Sequence, residues 1–129
     1  MEVVHVLVVE DEALLHDIVR DPLEDGGFEV TVVARGDDAI IALEAQSEVW
    51  GAVVTDIRLG RGQPTGWDVA RRARALSPSV AVVYMTGDSS ADYAANGVPN
   101  SVILTKPFAP AQLLAAVAQL LNADNLRKA

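Results

Sequence analysis

The first strong pattern in the chain is VVHVLVVEDE, at residues 3–12. Its mostly β-branched run, Val3–Val9, is too uninterrupted for a half-exposed hairpin strand and suits a strand that a parallel sheet buries on both faces. Similar runs recur at comparable intervals, at Phe28–Val33, Ala52–Thr55, Val80–Met85 and Val102–Leu104. The pattern predicts five strands, of which the first four, rich in Val, are expected to be buried on both faces.

Segments with helical spacing of apolar residues separate these strands. We expect four helices, at Ala13–Asp25, Asp37–Gln46, Trp67–Leu76 and Pro110–Leu121. Asp37 is a suitable N-cap for the second of them. Alternating strands and helices predict one doubly wound α/β domain over residues 1–122, followed by a short polar tail at residues 123–129.

The interval at residues 88–100 differs from the other connections. Asn96-Gly97 and Pro99-Asn100 interrupt it, and its apolar face is thin. Ser89-Ser90 offer a cap for no more than a short turn. We therefore expect a short or mobile fourth helix.

Composition narrows the class of protein. Half of the 129 residues are apolar and 22% are charged, which is typical of one folded domain. The net charge of −8 disfavours nucleic acid and anionic membranes as partners. The lack of cysteine excludes disulfides and Cys-ligated zinc. Without a basic leader or an apolar run of ~20 residues, the chain is predicted to be cytoplasmic, with no membrane partner.

Polar residues follow four of the predicted strands. Glu10-Asp11 follow the first, Asp56 the third, Thr86 the fourth and Lys106 the fifth. Ligands of open parallel sheets bind beyond the carboxyl ends of the strands, so these side chains should converge. Taken singly, each has an ordinary explanation, such as acids at a helix start or a solvated lysine. Together they predict a functional site.

The chemistry of that site follows from its residue types. Three carboxylates close together repel one another unless a cation sits among them, and oxygen ligands of this kind suit Mg²⁺. A carboxylate is also a feasible nucleophile for an activated phosphoryl group. Lys106 would supply positive charge and Thr86 a hydrogen-bond donor, and Pro107 permits a cis peptide bond after Lys106. Asp56, alone on its strand, is the candidate phosphoacceptor.

Four motifs resemble the receiver domains of two-component response regulators. They are LVVEDE (residues 7–12), VVTDIRL (53–59), VVYMTG (82–87) and LTKPF (104–108). The resemblance implies a flavodoxin-like receiver fold, a sheet in the order 2-1-3-4-5 with five helices. It implies a signalling module, not an enzyme with a separate substrate, that catalyses its own phosphorylation and dephosphorylation. Because the sequence offers no attached output domain, we expect a stand-alone receiver that acts through a separate output protein or as a phosphate sink.

The resemblance also implies roles for individual residues. Asp56 would receive its phosphoryl group from a histidine kinase or a histidine phosphotransfer protein. Asp11 and Asp56 would bind Mg²⁺ directly, Arg58 through its backbone carbonyl, and Glu10 mainly through water. Thr86 and Lys106 would contact the phosphoryl group.

The chain departs from the family pattern in places. Ile103 stands where the family usually has the aromatic residue that moves together with the threonine. The loop Gly60–Gly66 is longer than the common form, and we expect it to be flexible, since its glycine spacing misses that of nucleotide-binding loops. Tyr84–Gly87 resembles a subgroup with a Phe-Ala-Thr-Gly motif, which Asp88 does not continue.

Two charged residues near the predicted site and the two histidines have separate expectations. Arg58 and Asp88 lie two residues beyond Asp56 and Thr86, and we expect them to flank the approach of water to the phosphoryl group. His5 and His16 are predicted to lie away from the acidic edge and to need no function.

Three alternative functions remain open. A haloacid-dehalogenase-like phosphatase also combines Asp, Mg²⁺, Thr and Lys, but its nucleophile belongs to a D-x-D on the first strand. A flavodoxin-like cofactor binder needs a loop rich in Ser, Thr and Gly after the first strand, where this chain has acids. A degenerate receiver would act only as a scaffold.

Overall fold

The computed structural model describes residues 3–88 and 91–128, with side chains as far as residue 123. Its five strands are all parallel and form one sheet in the order β2-β1-β3-β4-β5, as expected. They are β1 (His5–Val9), β2 (Glu29–Val33), β3 (Trp50–Asp56), β4 (Ala81–Thr86) and β5 (Ser101–Thr105).

Helices cover both faces of this sheet. They are α1 (His16–Asp25), preceded by a 3₁₀ turn at Ala13–Leu15, then α2 (Gly36–Ala45), α3 (Gly66–Leu76), α4 (Tyr93–Asn96) and α5 (Pro110–Lys128). Helices α1 and α5 pack on one face, and α2, α3 and α4 on the other. No helix in the described part of the chain is long and apolar enough to cross a membrane.

The prediction that Asp37 caps α2 is wrong. The helix begins at Gly36, and Asp37 lies in its first turn. The backbone amide of Asp37 donates to the side-chain oxygen of Gln63 at 3.1 Å, so a distant loop takes the place of a local cap. A Cβ on Gly36 would clash with the carbonyl of Pro64. The loop Gly60–Gly66, expected to be flexible, thus has defined contacts with α2.

Helix α3 begins close to the candidate phosphoacceptor because of a local signal. Thr65 accepts a hydrogen bond from the amide of Asp68, whose carboxylate accepts one from the amide of Thr65. The next residue, Gly66, lies so close to the carbonyl of Asp56 that no Cβ would fit. The capping box and this glycine together hold the start of α3 against the end of β3.

The prediction for α4 is confirmed as to its length. The helix is a single turn. Side-chain hydrogen bonds connect this turn to its neighbours. Tyr93 donates to the carbonyl of Ser101 in β5 at 2.7 Å, and Arg71 of α3 donates to the side-chain oxygen of Asn96. The proposed cap, Ser89-Ser90, lies outside the described residues.

Helix α5 is longer than predicted. It continues beyond Leu121 to Lys128, so the expected polar tail at residues 123–129 is helical as far as it is described. Polar residues there do not end the helix, since no glycine or proline follows Pro110. The boundary of the domain itself stays a prediction.

Candidate functional site

Lys106 and two buried carboxylates form the centre of the site. The Lys106 Nζ lies 2.6 Å from Oδ1 of Asp56 and 3.1 Å from Oε1 of Glu10. Glu10 is fully buried and Asp56 is 5% exposed. The convergence of these three side chains at the carboxyl edge of the sheet, predicted from the strand ends, is confirmed.

The sheet extends its hydrogen bonding one residue past several strands, which orients these side chains. The amide of Glu10 donates to Val33, that of Ile57 to Met85 and that of Lys106 to Thr86. The backbone on either side of the site is therefore held by its neighbours, and the Lys106–Pro107 bond is cis.

Burial and mutual charge shift the pKa values of the Asp56 and Glu10 carboxyl groups in opposite directions. Burial, together with the Glu10 carboxylate, raises the pKa of Asp56 to about 8, although Lys106 opposes the shift. Burial acts to raise the pKa of Glu10 as well, but hydrogen bonds with Asp56, the Glu12 amide and Lys106 outweigh it and leave the pKa below its usual value. Without a bound metal ion, Asp56 is therefore protonated near neutral pH and Glu10 is ionised.

The same contacts act on the lysine. Burial acts to lower the pKa of Lys106, but hydrogen bonds and charges of Asp56 and Glu10 outweigh it and place the pKa above its usual value. Lys106 is therefore fully charged at neutral pH, as a partner for an anionic group must be.

The acidic residues fit a magnesium ion. Glu10, Asp11 and Asp56 each place a carboxylate oxygen within 4.8 Å of the others. Hard oxygen donors with open positions are what Mg²⁺ prefers. Both oxygens of Glu10 already have protein partners, Lys106 and the amide of Glu12. This agrees with an indirect role for Glu10 and leaves Asp11 and Asp56 as the direct carboxylate ligands of the proposed set.

Thr86 lies in the same cleft with a different partner. The cleft measures about 380 Å³ and is lined by Asp11, Glu12, Asp56, Arg58, Met85, Thr86, Gly87, Asp88 and Lys106. The Thr86 hydroxyl donates to Oδ1 of Asp88 at 3.0 Å. Asp88 in turn forms an ion pair with Arg58, at 2.7 Å between Oδ2 and the guanidinium nitrogen. The structure thus brings Arg58 and Asp88 together at the cleft.

The prediction that His16 lies away from the acidic edge is wrong. Its Nε2–H donates to the backbone carbonyl of Glu10 at 2.7 Å. Its position at the first turn of α1, six residues after Glu10, was the signal that could have indicated this contact. His5 pairs instead with Glu29 on the neighbouring strand, at 3.2 Å.

Ile103, the departure from the family pattern, lies opposite an aromatic residue. It pairs in register with Tyr84 of β4 and packs against the same cluster. The Tyr84 ring contacts Trp67 and Tyr93, with centroids 4.7 and 5.9 Å away. The hydroxyl of Tyr84 accepts a hydrogen bond from the amide of Val98 at 3.1 Å. The large aromatic group of this region therefore belongs to β4.

Comparison with known proteins identifies the family. A family model for the response regulator receiver domain matches residues 6–118. The structure of a response regulator receiver protein from Sinorhizobium medicae WSM419 is similar over 95% of this chain and 98% of that chain, with 46% identity and a TM-score of 0.91. The receiver domain of a sensor histidine kinase from Pseudomonas aeruginosa PAO1 is 25% identical, with a TM-score of 0.78 over 94% of this chain and 99% of that chain. Its active site cleft holds a coordinated magnesium ion.

Curated relatives carry the same domain within longer chains. The Salmonella typhimurium protein named "Probable transcriptional regulatory protein SilR" is 29% identical over 123 residues, which are 93% of this chain and 52% of that protein. The transcriptional regulatory protein CssR of Bacillus subtilis is 26% identical over 119 residues, 91% of this chain and 51% of that protein. The chain spans about half the length of these relatives, so its predicted stand-alone state and lack of a nucleic-acid partner stay untested. With the receiver fold, the acidic cluster and the family match together, this chain belongs to the response regulator receiver domains of two-component systems.

Proposed function

We propose that Asp56 takes a phosphoryl group from the phosphohistidine of a histidine kinase or a histidine phosphotransfer protein. The phosphorylated form would then bind a separate output protein differently from the free form. The observation that supports this most directly is the contact of Asp56 with Lys106, at 2.6 Å, beside two further carboxylates in an open cleft.

The transfer needs little covalent machinery. A carboxylate oxygen of Asp56 attacks phosphorus, the P–N bond to the imidazole breaks, and its electron pair stays on the ring nitrogen. The product is an acyl phosphate on Asp56. The ammonium group of Lys106 offsets charge on the phosphoryl oxygens, and Thr86 offers its hydroxyl to one of them. Mg²⁺ held by Asp11, Asp56 and the Arg58 carbonyl would supply further charge neutralisation.

The test is the mass of the intact protein after incubation with acetyl phosphate. We expect one phosphoryl adduct with Mg²⁺ and none without it. Asp56→Asn should abolish the adduct, because the amide is not a competent nucleophile. Asp25→Asn, the same change at an exposed end of α1, is the matched control and should be labelled like wild type.

Two outcomes would contradict the proposal. Undiminished labelling of Asp56→Asn would place the phosphoryl group elsewhere. A wild-type protein that takes no phosphoryl group from acetyl phosphate or from any phosphorylated kinase would support the alternative of a scaffold. The phosphatase alternative has lost its support, because Asp56 lies on β3 and the family model is that of receivers.

A groove beside Lys106 supports a phosphodonor partner with an apolar contact surface. The groove measures about 360 Å³ and is mostly apolar, with Leu15, Ile18 and Val19 on one side and Pro107 and Phe108 on the other. Of the lining residues, Ile18 is 56% exposed, and Leu14, next to Leu15 in the chain, is 91% exposed. A donor that presents phosphohistidine to Asp56 would cover this surface. Cytoplasmic location belongs to the same proposal.

The docking surface predicts a difference between two phosphodonors. The double variant Leu14→Ala with Ile18→Ala should lose transfer from a phosphorylated histidine kinase by roughly tenfold or more, since each truncation removes apolar contact area. Labelling by acetyl phosphate should persist, because that donor needs no docking. Ile41→Ala, at an exposed apolar residue of α2, is the matched control. Equal transfer to the double variant and to Ile41→Ala would refute this surface.

A further inference from the structure

We infer that Asp88 is a positioning residue that holds the hydroxyl of Thr86 and competes for it with the phosphoryl group on Asp56. The inference rests on the proposed function of Asp56. It assigns to Asp88 a role in setting how tightly the phosphoryl group is bound.

The hydroxyl of Thr86 can donate only one hydrogen bond at a time. A threonine hydroxyl has one proton to donate and two lone pairs. In the described part of the chain this proton goes to Oδ1 of Asp88, at 3.0 Å, while the Asp88 amide donates back to the same hydroxyl at 3.3 Å. Thr86 is only 6% exposed, so water is a poor substitute partner. Donation to a phosphoryl oxygen therefore requires that the bond to Asp88 breaks.

The phosphoryl group would arrive beside this bond. Thr86, Asp88, Asp56 and Lys106 line one cleft. The backbone places Thr86 next to the phosphoacceptor, because Met85 pairs in register with Asp56 and the Thr86 carbonyl accepts from the Lys106 amide. The hydroxyl thus has two possible anionic acceptors within one cleft, the Asp88 carboxylate and the phosphoryl group.

Arg58 keeps the competitor in place. Its guanidinium reaches from the residue two positions after Asp56 to Oδ2 of Asp88, at 2.7 Å, and so joins the segments that follow β3 and β4. The Arg58 side chain is 85% exposed, and ion pairs this exposed contribute little to stability. The ion pair therefore orients the Asp88 carboxylate towards Thr86 without fixing it, and the Thr86–Asp88 bond can break when a phosphoryl group arrives.

Binding of beryllofluoride, a phosphoryl mimic that attaches to carboxylates, tests the competition. Its dissociation constant is measured by ¹⁹F NMR in the presence of Mg²⁺. Asp88→Ala should bind it roughly 3- to 10-fold more tightly than wild type, the range expected for one released hydrogen bond. Asp88→Asn keeps an acceptor oxygen for Thr86 and should restore binding towards that of wild type. Asp25→Ala removes a charge far from the cleft and should change nothing.

A double-mutant cycle separates competition from simple charge repulsion. In the Thr86→Val background the hydroxyl is gone, so Asp88→Ala should then change affinity by less than twofold. Equal tightening in both backgrounds would overturn the inference, because only the charge would then matter. No tightening by Asp88→Ala in the wild-type background would overturn it as well.

A second measurement does not depend on phosphorylation. Three-bond couplings of the Thr86 side chain in the metal-free protein should report one rotamer in wild type and an average in Asp88→Ala. A single unchanged rotamer in both proteins would refute the hold on Thr86. Failure of wild type to bind beryllofluoride, with the rotamer effect present, would instead count against the proposed function of Asp56.

Discussion

The side of the sheet that α1 and α5 cover differs from the side under α2, α3 and α4 in the contacts that hold it. The buried residues of the α1/α5 side are aliphatic apart from Met85, among them Val6, Val8, Leu23, Val54, Val83, Leu113 and Val117. Two aromatic residues without polar ring atoms, Phe28 and Phe108, pack against them from partly buried positions. The other side adds Trp50, Tyr84, Trp67 and Tyr93. The polar atoms of Trp50, Tyr84 and Tyr93 make hydrogen bonds, such as that of the Trp50 indole with the Ala42 carbonyl at 3.2 Å.

The two sides also continue into different parts of the site. Successive side chains of a strand point to opposite faces of the sheet, so every second residue forms a row on one face. In β3 the row that contains Val54 continues to Asp56, whereas in β4 Val83 and Thr86 belong to rows on opposite faces. Glu10 and Lys106 likewise extend rows of the α1/α5 side, whereas Thr86 extends the row of Tyr84. The three charged groups of the site thus continue rows of the α1/α5 side, which is packed mainly by aliphatic side chains. The hydroxyl of Thr86 continues a row of the other side, where aromatic residues make hydrogen bonds.

We expect the greatest loss of stability from a truncation on the α1/α5 side. Leu113→Ala, at a fully buried position of α5, should lower the free energy of unfolding by about 2–5 kcal/mol, because it removes transfer free energy and leaves a cavity. Urea denaturation monitored by circular dichroism measures the loss. A loss below about 1 kcal/mol would show that this side repacks around the missing side chain, so that the two sides do not differ in packing.

A pH dependence of stability should follow from the acidic centre of the site. The pKa of Asp56 lies at about 8 in the folded, metal-free protein and at 3.8 in the reference state. The folded protein therefore binds more protons between these values, and its stability falls as pH rises from 4 to 8, by up to ~1 kcal/mol per pH unit. Below pH 4 the contribution is fully present.

Urea denaturation in EDTA across this pH range measures the effect. Asp56→Asn, which is neutral at every pH, should flatten the curve and make the protein more stable than wild type at pH 8.5. Added Mg²⁺ should stabilise wild type but not the variant. A wild-type stability that rises between pH 5 and 8 would contradict the assignment of the proton to Asp56.

We expect a smaller loss of stability from a substitution on the side under α2, α3 and α4. Tyr84→Phe keeps the ring contacts but leaves the Val98 amide without its partner, which should cost about 1–2 kcal/mol. Amide hydrogen exchange should show the change at Val98 more strongly than in β1 or β3. If the variant loses as much stability as Leu113→Ala, the two sides do not differ as described.

The sequence predicted the part of the site that lies directly on strand ends. Glu10, Asp56, Thr86 and Lys106 were placed correctly because a parallel sheet brings the carboxyl ends of its strands to one edge. His16 and the cap of α2 were placed wrongly, since the contact of His16 with Glu10 and that of Gln63 with Asp37 depend on how loops return to the sheet. Loop paths leave no periodic signal in a sequence.

From the sequence alone follow the α/β class, the five strands and the set of groups at one edge, because hydrophobic periodicity and strand ends are local properties. The predicted burial of Phe28–Val33 is wrong, since β2 lies at an edge of the sheet and its residues are exposed or partly buried. Which groups touch depends on the tertiary structure. Lys106 contacts both Asp56 and Glu10, and Thr86 donates to Asp88, which pairs with Arg58. Such choices depend on distances of a few ångströms between segments far apart in the chain, and these distances exist only after the strands have packed side by side.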